Sequence, residues 1–101
     1  MEVDFLLAPV NLRPAPELHQ FRQMDSRSRI AREDPCTVGA NLAGLPAIAI
    51  PIKLSTKKLP IGLQLIGPPW SEKGLLKLAG RIEELANFPI LVDIPALLNI
   101  D

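Results

Sequence analysis

The sequence predicts an α/β fold in which helices are laid on a sheet. Three observations predict it. Two apolar runs, Ala47-Ile48-Ala49-Ile50 and Ile61-Gly62-Leu63-Gln64-Leu65-Ile66, flank a short polar link from Lys53 to Lys58, with Gly and Pro punctuating their ends. Beyond them, Leu75, Leu78, Ala79, Ile82, Leu85 and Ala86 recur at helical spacing, with Lys73, Lys77, Arg81, Glu83 and Glu84 on the other side. The first apolar run has no polar face, so it asks for cover on both sides.

The elements follow in order. Val3–Ala8 reads as a buried strand (3–8) ended by Pro9. A strand so near the initiating Met reads as a fold entered partway. Residues 10–33 read as a solvated loop, because Pro14 and Pro16 break any helix there. Within it, Glu17 to Met24 has one short helical turn's worth of pattern, Leu18, Phe21 and Met24. The arginines at 22, 27, 29 and 32 are diluted by Asp25, Glu33 and Asp34. A short helix is expected over 35–43, with Asp34 as its cap and Pro35 at its first position. Gly44 stops it and Pro46 prevents its continuation. The hairpin occupies 47–66. Pro68-Pro69-Trp70 makes a rigid corner in which the indole anchors a helix start. Ser71 caps a helix over 71–87, whose Gly74 and Gly80 cost about 1 kcal/mol each unless something packs closely there. Asn87 and Pro89 end it, leaving a tail over 88–101.

At 101 residues the chain holds one small domain at most, burying about 65% of its unfolded surface. Apolar residues make up 48%, which argues against disorder. Eleven basic residues balance eleven acids, so no charge excess points to nucleic acid or an anionic membrane. The apolar runs are broken well short of the roughly 20 residues of a membrane span, so no membrane partner is expected. Met1 to Leu7 is neither a secretory signal nor an Arg-rich transit peptide. A lone Cys36 excludes an internal disulfide.

The residues supply little catalytic chemistry. None of the four serines, Ser26, Ser28, Ser55 and Ser71, stands in a Gly-x-Ser-x-Gly elbow. Nothing in the sequence fixes Cys36 beside His19 as a nucleophile and base. One His and one Cys are too few for a zinc site, the acids lack calcium-loop spacing, and no phosphate-binding glycine loop is present. Asp34 is the polar residue to single out. By residue chemistry alone it is a helix cap.

Several motifs resemble the amidase signature family. Asp34-Pro35-Cys36-Thr37 followed by Asn41-Leu42-Ala43-Gly44-Leu45-Pro46-Ala47 is similar to the family's Asp-x-x-Thr, three residues, then Asn-x-Ala-Gly-x-Pro-Ala. Leu59 to Gly67 is nearly the family pattern for the next strand. Val3 to Pro9 resembles a strand that in many members ends Thr-Pro-Thr and here ends Ala8-Pro9-Val10. Pro35, Cys36 and Gly39 depart from the pattern. Arg27-Ser28-Arg29 and the Phe88-Pro89 exit resemble the branch of glutamyl-tRNA(Gln) amidotransferase A subunits, mitochondrial type. The likeness runs from Val3 to Val92.

The resemblance implies the C-terminal portion of an α/β/α domain, a mixed sheet with covering helices, incomplete in this chain. The family's catalytic Lys and two Ser lie N-terminal to these motifs, so no catalytic residue is expected here. It implies that Asp34 binds substrate glutamine, facing its α-ammonium. It also implies no cofactor in this chain, ATP and magnesium being used by a partner subunit. Expected partners are the other amidotransferase subunits, glutamine, and tRNA through the partner, in mitochondria or alternatively the cytoplasm. Two other readings stay open: the C-terminal segment of an amidase for another small amide, and a non-catalytic truncated paralogue. With its first hairpin strand uncovered, the chain alone is expected to be poorly soluble.

Overall fold

The computed structural model describes residues 2–33 and 35–89, with the backbone alone over 30–33. The strands are β1 (Leu6–Pro9), β2 (Ala47–Leu54) and β3 (Pro60–Ile66), and the helices are α1 (Leu18–Gln23), α2 (Ser26–Glu33), α3 (Val38–Ala43) and α4 (Glu72–Ala86). The strands form one sheet in the order β1-β3-β2. Both pairings are antiparallel.

The hairpin is longer than expected. β2 runs through Pro51 to Leu54, and its register shifts between Pro51 and Lys53. A proline lacks the amide that a central strand needs, but β2 is an edge strand and the shift falls beside it. The connection is therefore Ser55–Leu59 rather than Lys53–Lys58. Ser55 ties it together: its N–H donates to the Leu59 carbonyl at 2.7 Å, and its carbonyl accepts from Lys58 at 2.9 Å. Its hydroxyl accepts from the Leu59 N–H at 3.1 Å. Lys58 takes a left-handed φ of 65° to close the turn.

α4 covers one face of the sheet. Ile50, Leu65 and Leu75, each 3% exposed, form the core with Ala79, and Phe5, Ile48, Leu78 and Ile82 pack around them. Each large side chain buried this way contributes about 1.5–3 kcal/mol. The strand register explains the set: Ile48 faces Leu65 and Ile50 faces Leu63 on the same side of the pleat.

Phe5 explains one helical glycine. A Cβ at Gly74 would meet the Phe5 ring at 3.2 Å, so the missing side chain is what lets the ring reach α4. Gly67 lies against the same ring. A Cβ at Gly80 would meet nothing within 4 Å among the described residues, so close packing does not account for that glycine.

Several expectations need correction. The strand expected at 3–8 begins at Leu6 and is an edge, with Leu6 54% and Leu7 62% exposed; its buried anchor is Phe5, one residue before it. The segment 10–33 is not a plain loop: the turn expected over Glu17–Met24 is α1, and α2 is unexpected. Asp25 starts α2: its carboxylate accepts from the Ser28 N–H at 2.7 Å. This is an N-cap bond in a segment too polar to show an apolar stripe. Arg29 then reaches back, stacking 4.5 Å over the Phe21 ring and donating Nε–H to the Phe21 carbonyl.

The short helix begins at Val38 with Thr37 in the cap position and no side-chain cap bond, so Pro35 is not its first residue. Its end is as expected. Gly44 is left-handed, its N–H donating to Asn41 and that of Leu45 to Ala40, the paired closure of a Schellman turn. Ser71 stands in the cap position of α4, but its hydroxyl donates backwards to the Pro68 carbonyl at 2.7 Å. Trp70, 92% exposed, anchors nothing among the described residues. Asp34 and the tail from residue 90 onward lie outside those residues.

Candidate functional site

The second face of the sheet carries a run of small side chains, Ala8, Ala47, Ala49 and Gly62. The register places Ala47, Ala49, Pro51, Gly62, Gln64, Ile66, Leu6 and Ala8 on it. The small residues leave a shallow trough. One part, of about 160 Å³, lies between Val10, Thr37, Asn41, Ala47, Ala49 and Gln64. A second part, of about 330 Å³, shares Val10 and Ala49 and runs on past Asn11, Arg13, Pro51 and Gly62. Gly62 keeps its floor low: a Cβ there would stand 3.3 Å from the Ile50 carbonyl oxygen and 3.4 Å from the Val10 side chain.

Three chain segments meet at this wall. The first is the exit from β1, where the Val10 N–H donates to the Gly62 carbonyl. The second is the turn at 35–37 that leads into α3, with Cys36 and Thr37 half-buried and Pro35 exposed. The third is β3, which supplies Gln64. That side chain is 3% exposed and is the only buried polar one among the described residues. Its Nε2 donates to the Cys36 carbonyl at 2.7 Å and to the Pro9 carbonyl at 3.1 Å. Both partners only accept, so the amide nitrogen must be the atom that faces them.

Alternation of polar and apolar residues in β3 marks Gln64 as belonging to the less apolar face. It does not reveal that this face is covered at Gln64, nor that the carboxamide joins segments 28 and 55 residues away. Asp34, the sequence-predicted substrate residue, lies outside the described residues. By sequence it stands immediately before the turn at 35–37.

Other chemistry-bearing residues are occupied locally. His19 and Gln23 contact through their Nε2 atoms at 3.3 Å along α1. Ser55 and Ser71 hold turns through their hydroxyls. Asp25 has its carboxyl held below the usual range, first by the Ser28 backbone N–H, then by the Ser28 hydroxyl and the nearby Arg29 charge. Among the described residues, no three His, Cys, Asp or Glu side chains gather as a metal site. No helix there is long and apolar enough to cross a membrane.

Comparison with known proteins places this wall in a larger frame. The mitochondrial glutamyl-tRNA(Gln) amidotransferase A subunit of Aedes aegypti is 48% identical over 87 residues, covering 86% of this chain and 18% of that protein. The human protein of the same name is 43% identical over 89 residues, covering 88% of this chain and 17% of its own length. The chain thus spans less than a fifth of these relatives. The solved structure of 6-aminohexanoate cyclic dimer hydrolase superposes with a TM-score of 0.74 at 30% identity, covering 95% of this chain and 22% of that one. The family description "Amidase" matches residues 1–76. The chain belongs to the Amidase family.

Proposed function

We propose that this chain serves as the C-terminal segment of a glutamyl-tRNA(Gln) amidotransferase A subunit working in mitochondria. The observation that carries this is 48% identity, over 86% of the chain, to a relative of that name. The small-residue trough beside the turn at 35–37 supports it, because a wall of this kind needs room for a substrate.

On this reading the complete subunit hydrolyses the side-chain amide of glutamine. The released ammonia passes to a partner subunit, which uses ATP and magnesium to convert Glu-tRNA(Gln) to Gln-tRNA(Gln). That partner makes the main tRNA contacts. The present chain supplies three strands, a covering helix and one wall of the glutamine pocket. Asp34 faces the α-ammonium of glutamine, where a carboxylate opposite an ammonium in a partly dry pocket makes a charge-assisted hydrogen bond. The Lys and Ser that attack the amide come from the preceding part of the subunit.

A second reading has its own support. The hydrolase structure that superposes here is named for the cyclic dimer of 6-aminohexanoate. An amidase for another small amide would use the same wall without needing an ammonium partner.

Substitution separates the two. Residues 3–89 of this chain are grafted in place of the matching segment of the Aedes aegypti subunit, with and without Asp34→Asn. The amidotransferase reading expects Asp34→Asn to raise KM for glutamine tenfold or more. It expects little change for an amide of similar length that lacks the α-amino group. Equal effects on both amides, or none on either, would contradict it.

A further inference from the structure

We infer that Gln64 is a positioning residue that fixes the amide-pocket wall by clamping two backbone segments to β3. The inference rests on the reading above that this face lines the pocket. Three observations carry it. Gln64 is buried, at 3% exposure, on the face away from α4. Its one amide nitrogen spends both hydrogens on carbonyl oxygens, those of Cys36 and Pro9. Those two carbonyls belong to the turn before α3 and to the exit from β1, the segments that bring Thr37 and Val10 to the trough.

The chemistry suits this task. A carboxamide offers two donors on one planar nitrogen and carries no charge, so it bridges two acceptors without the desolvation cost of a buried Lys or Arg. The opposite face is secured by the apolar cluster around Leu75, but this one is floored by alanines and glycine. Without Gln64, two carbonyl oxygens lose their donor at a largely dry site. The turn at 35–37 then loses its tie to β3, while the β1 exit keeps its Val10–Gly62 backbone bond, and the wall loses its shape while the core remains. Cys36 is a built-in reporter, since it is the chain's sole thiol and belongs to the clamped turn.

The test uses Gln64→Leu and Gln64→Asn. The first fills the space without donors. The second keeps the carboxamide but is one methylene too short to span both acceptors, and it serves if the leucine variant does not fold. In the full 101-residue chain, hydrogen exchange is followed by mass spectrometry over 35–45 and over 75–86, together with the rate of Cys36 alkylation by iodoacetamide. The clamp expects exchange over 35–45 and alkylation to accelerate tenfold or more, with 75–86 changing less than twofold. In the grafted subunit it expects a five- to tenfold rise in glutamine KM with kcat within twofold. Unchanged exchange over 35–45 would overturn the clamp. So would uniform loosening of both segments, or a wild-type Cys36 that reacts as fast as in urea. Local loosening with an unchanged KM would overturn the positioning role, leaving the pocket reading to the Asp34→Asn result.

Discussion

The two faces of this sheet are held by different chemistry. Under α4, contact is made by hydrocarbon: Ile50, Leu65, Leu75 and Ala79 exclude water, and Phe5 is drawn over Gly74 to close the cluster. On the opposite face a run of side chains is small, the trough is open, and one carboxamide joins β3 to the turn before α3. Apolar packing is non-directional and tolerant, so it suits the side that only has to cohere. Hydrogen bonding is directional, so it suits the side where backbone must be placed. On the proposed reading, stability and site geometry come from opposite sides of the same three strands.

The largest expected effect is on the packed face. Leu75→Ala removes a side chain only 3% exposed and should lower unfolding free energy by about 2–5 kcal/mol, read from urea titration of the whole chain. A loss below 1 kcal/mol would mean that α4 is not what holds the sheet. Next comes Gly74→Ala. The new methyl would press on the Phe5 ring, which stands 3.2 Å from its position. That contact offsets the roughly 1 kcal/mol that alanine gains in a helix, so Gly74→Ala is expected to be about 1 kcal/mol or more less favourable than Gly80→Ala.

Gly80→Ala sharpens the comparison within one helix. Its Cβ meets nothing within 4 Å among the described residues, so the helix gains rigidity without a clash there, and a stabilisation of about 0.5–1 kcal/mol is expected by the same titration. If both alanines act alike, Phe5 is not the reason for Gly74. The smallest effect concerns Asp25, on a segment belonging to neither face. Its folded pKa lies below the ordinary value of 3.8, so the stability it gives α2 is present above that value and is lost as pH falls further. Protection of the Ser28 amide, followed by NMR, should fade as Asp25 becomes protonated, and Asp25→Asn should blunt that pH dependence. A Ser28 signal indifferent to pH would remove the cap.

Much of the packed side is legible in the sequence. The helical spacing from Leu75 to Ile82 and the two apolar runs give α4 and the hairpin, because burial imprints a period on the residues that make it, whereas Leu85, expected on the same side, is 71% exposed. Gly44 gives the end of α3 for a similar local reason. The polar side is harder to read. α2 has few apolar residues, and its one clear signal, Asp25 three residues before Ser28, reads as charge dilution unless the cap bond is seen. Leu6 and Leu7 read as part of a buried strand with Phe5, yet they lie on an edge whose far side nothing among the described residues covers. Gln64 shows the limit most sharply: a polar residue in an alternating strand implies water, while its real partners come from two distant segments. By residue chemistry Asp34 reads only as a helix cap, and its substrate role is implied only by the family motif.

The central claim is that this chain shapes an amide pocket and supplies no attacking group. The most direct measurement is ammonia release from glutamine by the purified 101-residue chain, set beside the graft of residues 3–89 into the Aedes aegypti subunit. The account expects no glutamine-dependent ammonia above the buffer rate from the chain alone, and sustained release from the graft. Turnover by the chain alone would contradict it, because a nucleophile and base would then have to lie within these residues.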